Sequence, residues 1–437
     1  MPKLKKIYIC QSCAYQTSQW VGQCPQCNEW NTFSEDVIDV SSSNSSGRKA
    51  QFNPSKIVKL SQVKKENIQR VSSNITEFDR VLGGGFVPGQ VILLAGDPGI
   101  GKSTLLTQIC SSVSMPILYV CGEESPEQIK LRTTRVGYKG DNLNLLSETN
   151  IDQVLAAIHS LSDLKLVIVD SIQTLYSPEI GGMAGAISQI KGCTQILTST
   201  AKDLGVPIIL VGHVTKEGAV AGPKILEHMV DTVLQLEGDS QHMYRTLRTS
   251  KNRFGPVSEV GIFEMQEKGM IEVTNPSELF LEQRLPKTSG SVVTVVMEGH
   301  RPILFEVQAL TTKTSFGYPR RTTSGYNNNR LQVILAILQK RAGIDTSSHD
   351  VYVSVAGGFK ISEYSSDLAV CLAVASSLLD KPIKENSVVF GECGLNGEIR
   401  RVSQMEKRIA EAKKLGYKNI VSPMEFNSIK KALSASL

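Results

Sequence analysis

Val91-Ile92-Leu93-Leu94-Ala95 runs directly into Gly96-Asp97-Pro98-Gly99-Ile100-Gly101-Lys102-Ser103-Thr104, and the reading of this junction decides the fold. Five consecutive apolar residues predict a strand covered on both faces, and residues 103–111 predict the helix that follows it. Between them, Gly96, Gly99 and Gly101 let the backbone wrap closely around a phosphate. Lys102 reaches β- and γ-phosphates, while the Ser103 hydroxyl, with Thr104 beside it, suits a Mg²⁺ ion. A glycine-rich loop between buried strand and helix, closed by Lys-Ser, implies binding of a nucleoside triphosphate such as ATP.

Outward from the loop, strand signals recur at residues 117–121, 164–169 and 207–211. Helix-length segments at 126–135, 151–161 and 184–204 separate them. Such alternation predicts an α/β layer with parallel crossovers, and the shorter periods after Asp231 predict an antiparallel edge. Leu166-Val167-Ile168-Val169-Asp170 is the expected second acidic strand, with Asp170 at its carboxyl end beside Mg²⁺ and Ser171 next to it. Hydrolysis also needs a group that orients water, and Glu123 is preferred over Glu124 for that task. Both glutamates are equally natural as acids before a helix N-terminus. His213 closes another buried strand, where it either senses the γ-phosphate or makes a buried hydrogen bond. Residues 217–222 have few anchors and read as a mobile loop.

The first 27 residues hold four of the nine cysteines, as Cys10-x2-Cys13-x10-Cys24-x2-Cys27. Two x2 turns supply a tetrahedral all-sulfur set, which favours structural Zn²⁺ and leaves no open coordination position for catalysis. Metal binding is then coupled to folding of so short a segment. Trp20 and Trp30 are expected to pack over the metal turns rather than to stack on bases. Cys110, Cys121, Cys193, Cys371 and Cys393 lie among apolar or small neighbours and read as buried thiols.

The chain's 437 residues, 41% hydrophobic and 20% charged, suit two or three soluble domains. No apolar run reaches the roughly 18–20 residues that cross a bilayer, so no membrane association is expected and a cytoplasmic location follows by elimination. The formal charge of +5 permits a polyanionic partner without requiring one. Between Val307 and Ile344 there is no Asp or Glu, while Lys313, Arg320, Arg321, Arg330, Lys340 and Arg341 all fall there. That span reads either as a lining for a phosphate backbone or as a solvated basic surface. Residues 34–56, rich in Ser and Asn, read as a flexible linker.

With its four-cysteine finger, its loop at residues 96–103, Tyr119-Val120-Cys121-Gly122-Glu123-Glu124-Ser125 and Lys251-Asn252-Arg253-Phe254-Gly255 in this order, the chain resembles the bacterial RadA (Sms) DNA-repair family from end to end. The resemblance implies a zinc finger at 1–33, a RecA-like ATPase at 57–275 and a Lon-protease-like α+β domain at 276–437. It further implies hexameric rings, binding of single-stranded and branched DNA, and branch migration or helicase-like processing during recombination. A recombinase or replicative helicase is a possible partner. Lys102, Ser103, Asp170 and Glu123 take the family's nucleotide, magnesium and water-activating roles. Lys251 and Arg253 match a basic pair that approaches the neighbouring subunit's phosphates. In the last domain Ser365 falls near the Lon nucleophile position, but Glu406 stands where that family's general-base lysine belongs. Peptidase activity is therefore not expected, and the domain reads as a scaffold for assembly and DNA binding.

Overall fold

Alternation along a strand sends successive side chains to opposite faces, and the central strand of the protein shows the consequence. In the strand at Val91–Gly96, Ile92 and Leu94 enter one apolar core while Val91 and Leu93 enter another, each wholly buried. This is why the run at 91–95 carries no polar residue. The computed structural model describes residues 4–10, 15–39, 69–213, 225–238, 243–315, 317–361 and 363–437.

At the N-terminus, β1 (Leu4–Cys10) pairs antiparallel with β2 (Gln16–Thr17) and β3 (Phe33–Asp39). β3 satisfies the backbone groups along β1 from Cys10↔Phe33 to Leu4↔Asp39, so residues 34–39, expected as linker, belong to the finger's sheet. The rest of the expected linker, residues 40–56, lies outside the described residues.

The ATPase region follows with α1 (Thr76–Leu82), β4 (Val91–Gly96), α2 (Lys102–Ser112), β5 (Ile117–Cys121), α3 (Pro126–Arg135), β6 (Leu143–Leu146), α4 (Ile151–Ser160), β7 (Leu166–Asp170), α5 (Ile187–Leu204) and β8 (Ile208–His213). β9 (Thr232–Glu237), β10 (Tyr244–Asn252), β11 (Val260–Gln266) and β12 (Gly269–Glu272) complete it. The nine strands lie in the order β12-β11-β10-β9-β4-β8-β7-β5-β6. β4 through β9 run parallel, and β10 turns back against β9. The expected parallel layer with an antiparallel edge is thus present. α3 starts where expected because Ser125 and Gln128 form a reciprocal capping box ahead of Pro126.

A second compact unit comprises Ser258–Ile262 with Val273–Leu437. It contains α6 (Pro276–Leu281), β13 (Ser291–Glu298), β14 (Arg301–Lys313), β15 (Arg321–Ser324), α7 (Asn328–Ile337), β16 (His349–Val355), α8 (Asp367–Leu379), β17 (Ser387–Val389), β18 (Glu392–Cys393), β19 (Ile399–Arg400), α9 (Met405–Lys414), β20 (Asn419–Val421) and α10 (Ile429–Ser436). Its six-stranded sheet has the order β15-β16-β14-β13-β17-β20. α7 loses its α-helical winding after Ile337 and ends in a wider turn at Leu338–Ala342. No helix among the described residues is long and apolar enough to cross a membrane.

Candidate functional site

The loop between β4 and α2 is shaped by glycine. Gly99 and Gly101 adopt φ of 75° and 115°, which L side chains rarely adopt. A Cβ on Gly96 would come within 2.6 Å of the Leu236 carbonyl oxygen. Lys102 opens α2 and is 4% exposed, with Nζ donating to the carbonyls of Gly96 at 2.8 Å and Asp97 at 3.0 Å. Burial pulls its pKa down, while Asp170, Glu123 and Asp97 pull the other way. The loop lysine and three carboxylates therefore share one electrostatic neighbourhood. Ser103 and Thr104 follow Lys102 in the first turn of α2, and both are partly exposed. Arg245 of β10, not singled out in the sequence, is 5% exposed and donates from Nε to the Ile100 carbonyl at 3.2 Å. It thereby braces the loop holding Pro98, Gly99 and Ile100.

Parallel pairing brings the carboxylates together. β5 and β7 are in register at Cys121↔Asp170, so Glu123 emerges just beyond the end of β7. The amides of Gly122 and Glu123 donate to the Asp170 carbonyl at 2.8 and 3.3 Å. The Ser171 hydroxyl donates to Glu123 Oε1, and the phenol of Tyr119 donates to Asp170 Oδ2 at 2.6 Å. Glu124 takes a different direction, into an ion pair with Arg132 of α3. The two glutamates thus have separate partners, and Glu123 is the one tied to the Asp170 turn. Tyr119 was legible as a strand residue and as the start of the family stretch 119–125 but with no role of its own, although a buried phenol requires a polar partner. The oxygen donors of Ser103 and Asp170 are the hard ligand type that suits Mg²⁺.

Lys251 and Arg253 are not brought to this loop. β10 runs antiparallel to β9 with Asn252↔Thr232, whereas Thr232 pairs with Ile92 and Leu236 with Gly96. The motif thus sits at the amino end of β4, about 13 Å from the loop at ~3.3 Å per residue. Lys251 Nζ donates to the carbonyls of Glu227 at 2.6 Å and Val230 at 2.9 Å, and burial, then the nearby Arg253 charge, lowers its pKa. Arg253 pairs with Asp231 at 3.2 Å and keeps its side chain 53% exposed. His213 ends β8 in register with Gly96, but its side chain and residues 217–222 lie outside the described residues.

In the finger, the sulfurs of Cys10, Cys24 and Cys27 lie within 4.8 Å of one another. Cys13 lies outside the described residues. Convergence of thiols in a segment of this size fits zinc. Trp20 and Trp30, expected to pack over the metal turns, are instead 57% and 69% exposed. The five scattered cysteines are buried as expected, and burial pushes the Cys110 thiol up to about 12 and those of Cys121 and Cys193 up to about 11.

In the second unit, Glu406 does not face Ser365; it is exposed on α9, as is Lys407. The helix turns Arg408 inward, where it is fully buried and donates to Ser365 Oγ at 3.0 Å and to both oxygens of Glu363 at 2.8 and 2.7 Å. A guanidinium stays protonated in proteins and cannot take the serine proton. The basic span also divides. Arg330 is locked to buried Asp367, and Arg321 donates to the carbonyls of His349 and Thr346. Two cations expected to contact DNA are thus committed inside the fold, whereas Lys313, Arg320, Lys340 and Arg341 are exposed.

Comparisons with known proteins fit these three regions. Residues 58–219 match the AAA domain model, 8–35 the rubredoxin metal-binding domain, and 321–426 subunit ChlI of Mg-chelatase. The DNA repair protein RadA of Bacillus subtilis is 47% identical over 97% of this chain and 93% of its own length. RadA of Streptococcus pyogenes is 48% identical, with the same shares of the two chains covered. Among solved structures, a KaiC-like protein from Pyrococcus horikoshii aligns with 47% of this chain and 99% of its own at 22% identity and a TM-score of 0.39.

Proposed function

The chain belongs to the DNA repair protein RadA family, with a zinc ribbon, a RecA-like ATP-hydrolysing core and a Lon-like C-terminal region, and from that premise we propose that it is a DNA-stimulated motor. In this reading it binds single-stranded DNA and drives branch migration or helicase-like processing of recombination intermediates. The observation that carries the reading is the gathering of Lys102, Asp170 and Glu123 at one end of the parallel strands.

In the proposed cycle the amides of the loop at 96–103 and the Lys102 ammonium hold the β- and γ-phosphates. Lys102 exchanges its two carbonyl partners for phosphate oxygens, a stronger charge-assisted contact. Ser103 and Asp170 would hold Mg²⁺, which when bound neutralises charge on the phosphates. Glu123, steadied by the Ser171 hydroxyl, orients the attacking water and accepts its proton.

Lys251 and Arg253 lie too far along the sheet to serve their own loop, which supports a role at a neighbouring subunit's phosphates in a head-to-tail ring, a homo-hexamer by the family resemblance. A cation supplied in trans makes assembly part of catalysis. The exposed cations Lys313, Arg320, Lys340 and Arg341 supply sequence-independent contacts to a DNA backbone.

The test compares ATP turnover with and without single-stranded DNA in the wild type and in Arg253→Ala. Arg253 is the better reporter because Lys251 also ties down the turn at 227–230. Stimulation by DNA in the wild type and its loss in the variant, with nucleotide affinity retained, is the expected result. Turnover indifferent to DNA in the wild type would overturn the proposal.

A further inference from the structure

The two site carboxylates are held by a crossed pair of hydroxyls. The strand leading to Glu123 supplies Tyr119, which donates to Asp170, and the turn following Asp170 supplies Ser171, which donates to Glu123. Ser171 belongs to the acidic-strand motif, whereas nothing in the reading of the triphosphate site calls for Tyr119.

We infer that Tyr119 is a positioning residue for Asp170, fixing the carboxylate so that one oxygen remains directed to the divalent cation that accompanies the nucleotide. Tyr119 is 1% exposed, in the middle of β5, and belongs to the same apolar core as Ile117, Ile129 and Ile168. A phenol placed there without a partner would leave a desolvated hydroxyl, so its bond to Asp170 Oδ2 at 2.6 Å fixes both side chains. Asp170 is itself only 6% exposed, and water has little access to compete for Oδ2. With Oδ2 engaged, Oδ1 is left for the cation and its water shell. Outer partners of this kind orient ligating groups, and their loss typically weakens metal binding about 10–100-fold.

This inference rests on ATP hydrolysis but not on DNA transport, so it survives failure of the motor proposal. The test uses the full chain and the variant Tyr119→Phe, which removes one oxygen and keeps the ring. Mn²⁺ binding in the presence of ADP is followed by electron paramagnetic resonance, and ADP binding without metal is followed in EDTA with a fluorescent analogue. Tyr119→Phe is expected to weaken Mn²⁺ about 10-fold and to leave metal-free ADP binding unchanged. In an Asp170→Asn background the same substitution is expected to have no further effect, because the phenol acts through that carboxylate. Tyr138→Phe, which removes a phenol hydroxyl bonded to Asn142, serves as the control and should leave Mn²⁺ affinity unchanged. Unchanged Mn²⁺ affinity in Tyr119→Phe overturns the inference. Equal losses with and without metal, including those from misfolding, or additive effects with Asp170→Asn, also overturn it.

Discussion

Lys102 and Arg408 are both buried cations beside a serine at the start of or within a helix, and they are put to opposite uses. Lys102 rests on two loop carbonyls, near acids that raise its pKa against a desolvation that lowers it. These two carbonyls are neutral and replaceable, so a phosphate gains by taking their place. Arg408 is engaged through all three nitrogens: Glu363 takes it bidentately, Nε donates to the Ser403 carbonyl, and Nη1 also reaches the Val295 carbonyl and the Ser365 hydroxyl. One site rests its charge on exchangeable loop carbonyls, the other spends its charge on holding the fold. Burial alone therefore does not mark a functional cation; the replaceability of its partners does.

The comparison breaks most visibly at Arg408. Arg408→Ala takes the bidentate counter-charge from the Glu363 carboxylate, whose side chain is only 26% exposed, and leaves it the Met297 amide and the Ser365 hydroxyl. A loss of about 3 kcal/mol is expected in denaturant unfolding of the second unit. Arg408→Lys should recover little of it, because an ammonium cannot reproduce the bidentate fork. Lys102→Ala has the reverse signature: ATP turnover falls on the order of 100–1000-fold while thermal stability is not reduced. A clear loss of stability there would erase the distinction.

Two smaller effects sharpen it. Arg330→Ala should cost about 1.5–3 kcal/mol, since its partner Asp367 is buried. Arg320→Ala, at an exposed position, should change stability by less than about 0.5 kcal/mol yet flatten the salt dependence of DNA binding by about one unit of slope. Equal stability losses at the two arginines would contradict the division of the basic span. The smallest effect is in pH. A lysine whose folded pKa is depressed binds fewer protons folded than unfolded, so stability rises with pH between its lowered value and 10.5. Unfolding of the wild type minus that of Lys102→Met should show this alkaline rise when no nucleotide is present.

Much of this was legible because it is local. The helix at Pro126–Arg135 and the strand at Ile117–Cys121 occupy the expected residues. Capping signals and unbroken apolar runs are written in adjacent positions. β15 and α10 were missed: one is a four-residue strand of alternating polar residues, the other a short helix near the chain end. The choice of Glu123 came from its place after a strand, and its separation from Glu124 depends on Ser171 and Arg132, neither adjacent in sequence.

By itself the sequence determined the phosphate loop, the acidic strand, the paired cysteine spacing and the family, because each is carried by residue types at fixed short spacings. Only the tertiary structure decided that Arg408 rather than Glu406 faces Ser365, that Arg321 and Arg330 are occupied, that Lys251 and Arg253 lie at the far end of the sheet, and that Tyr119 holds Asp170. Those outcomes depend on strand register and helix rotation, which join residues distant in sequence. A shift of one residue along a helix turns a side chain by about 100°, enough to exchange an exposed glutamate for a buried arginine two positions later.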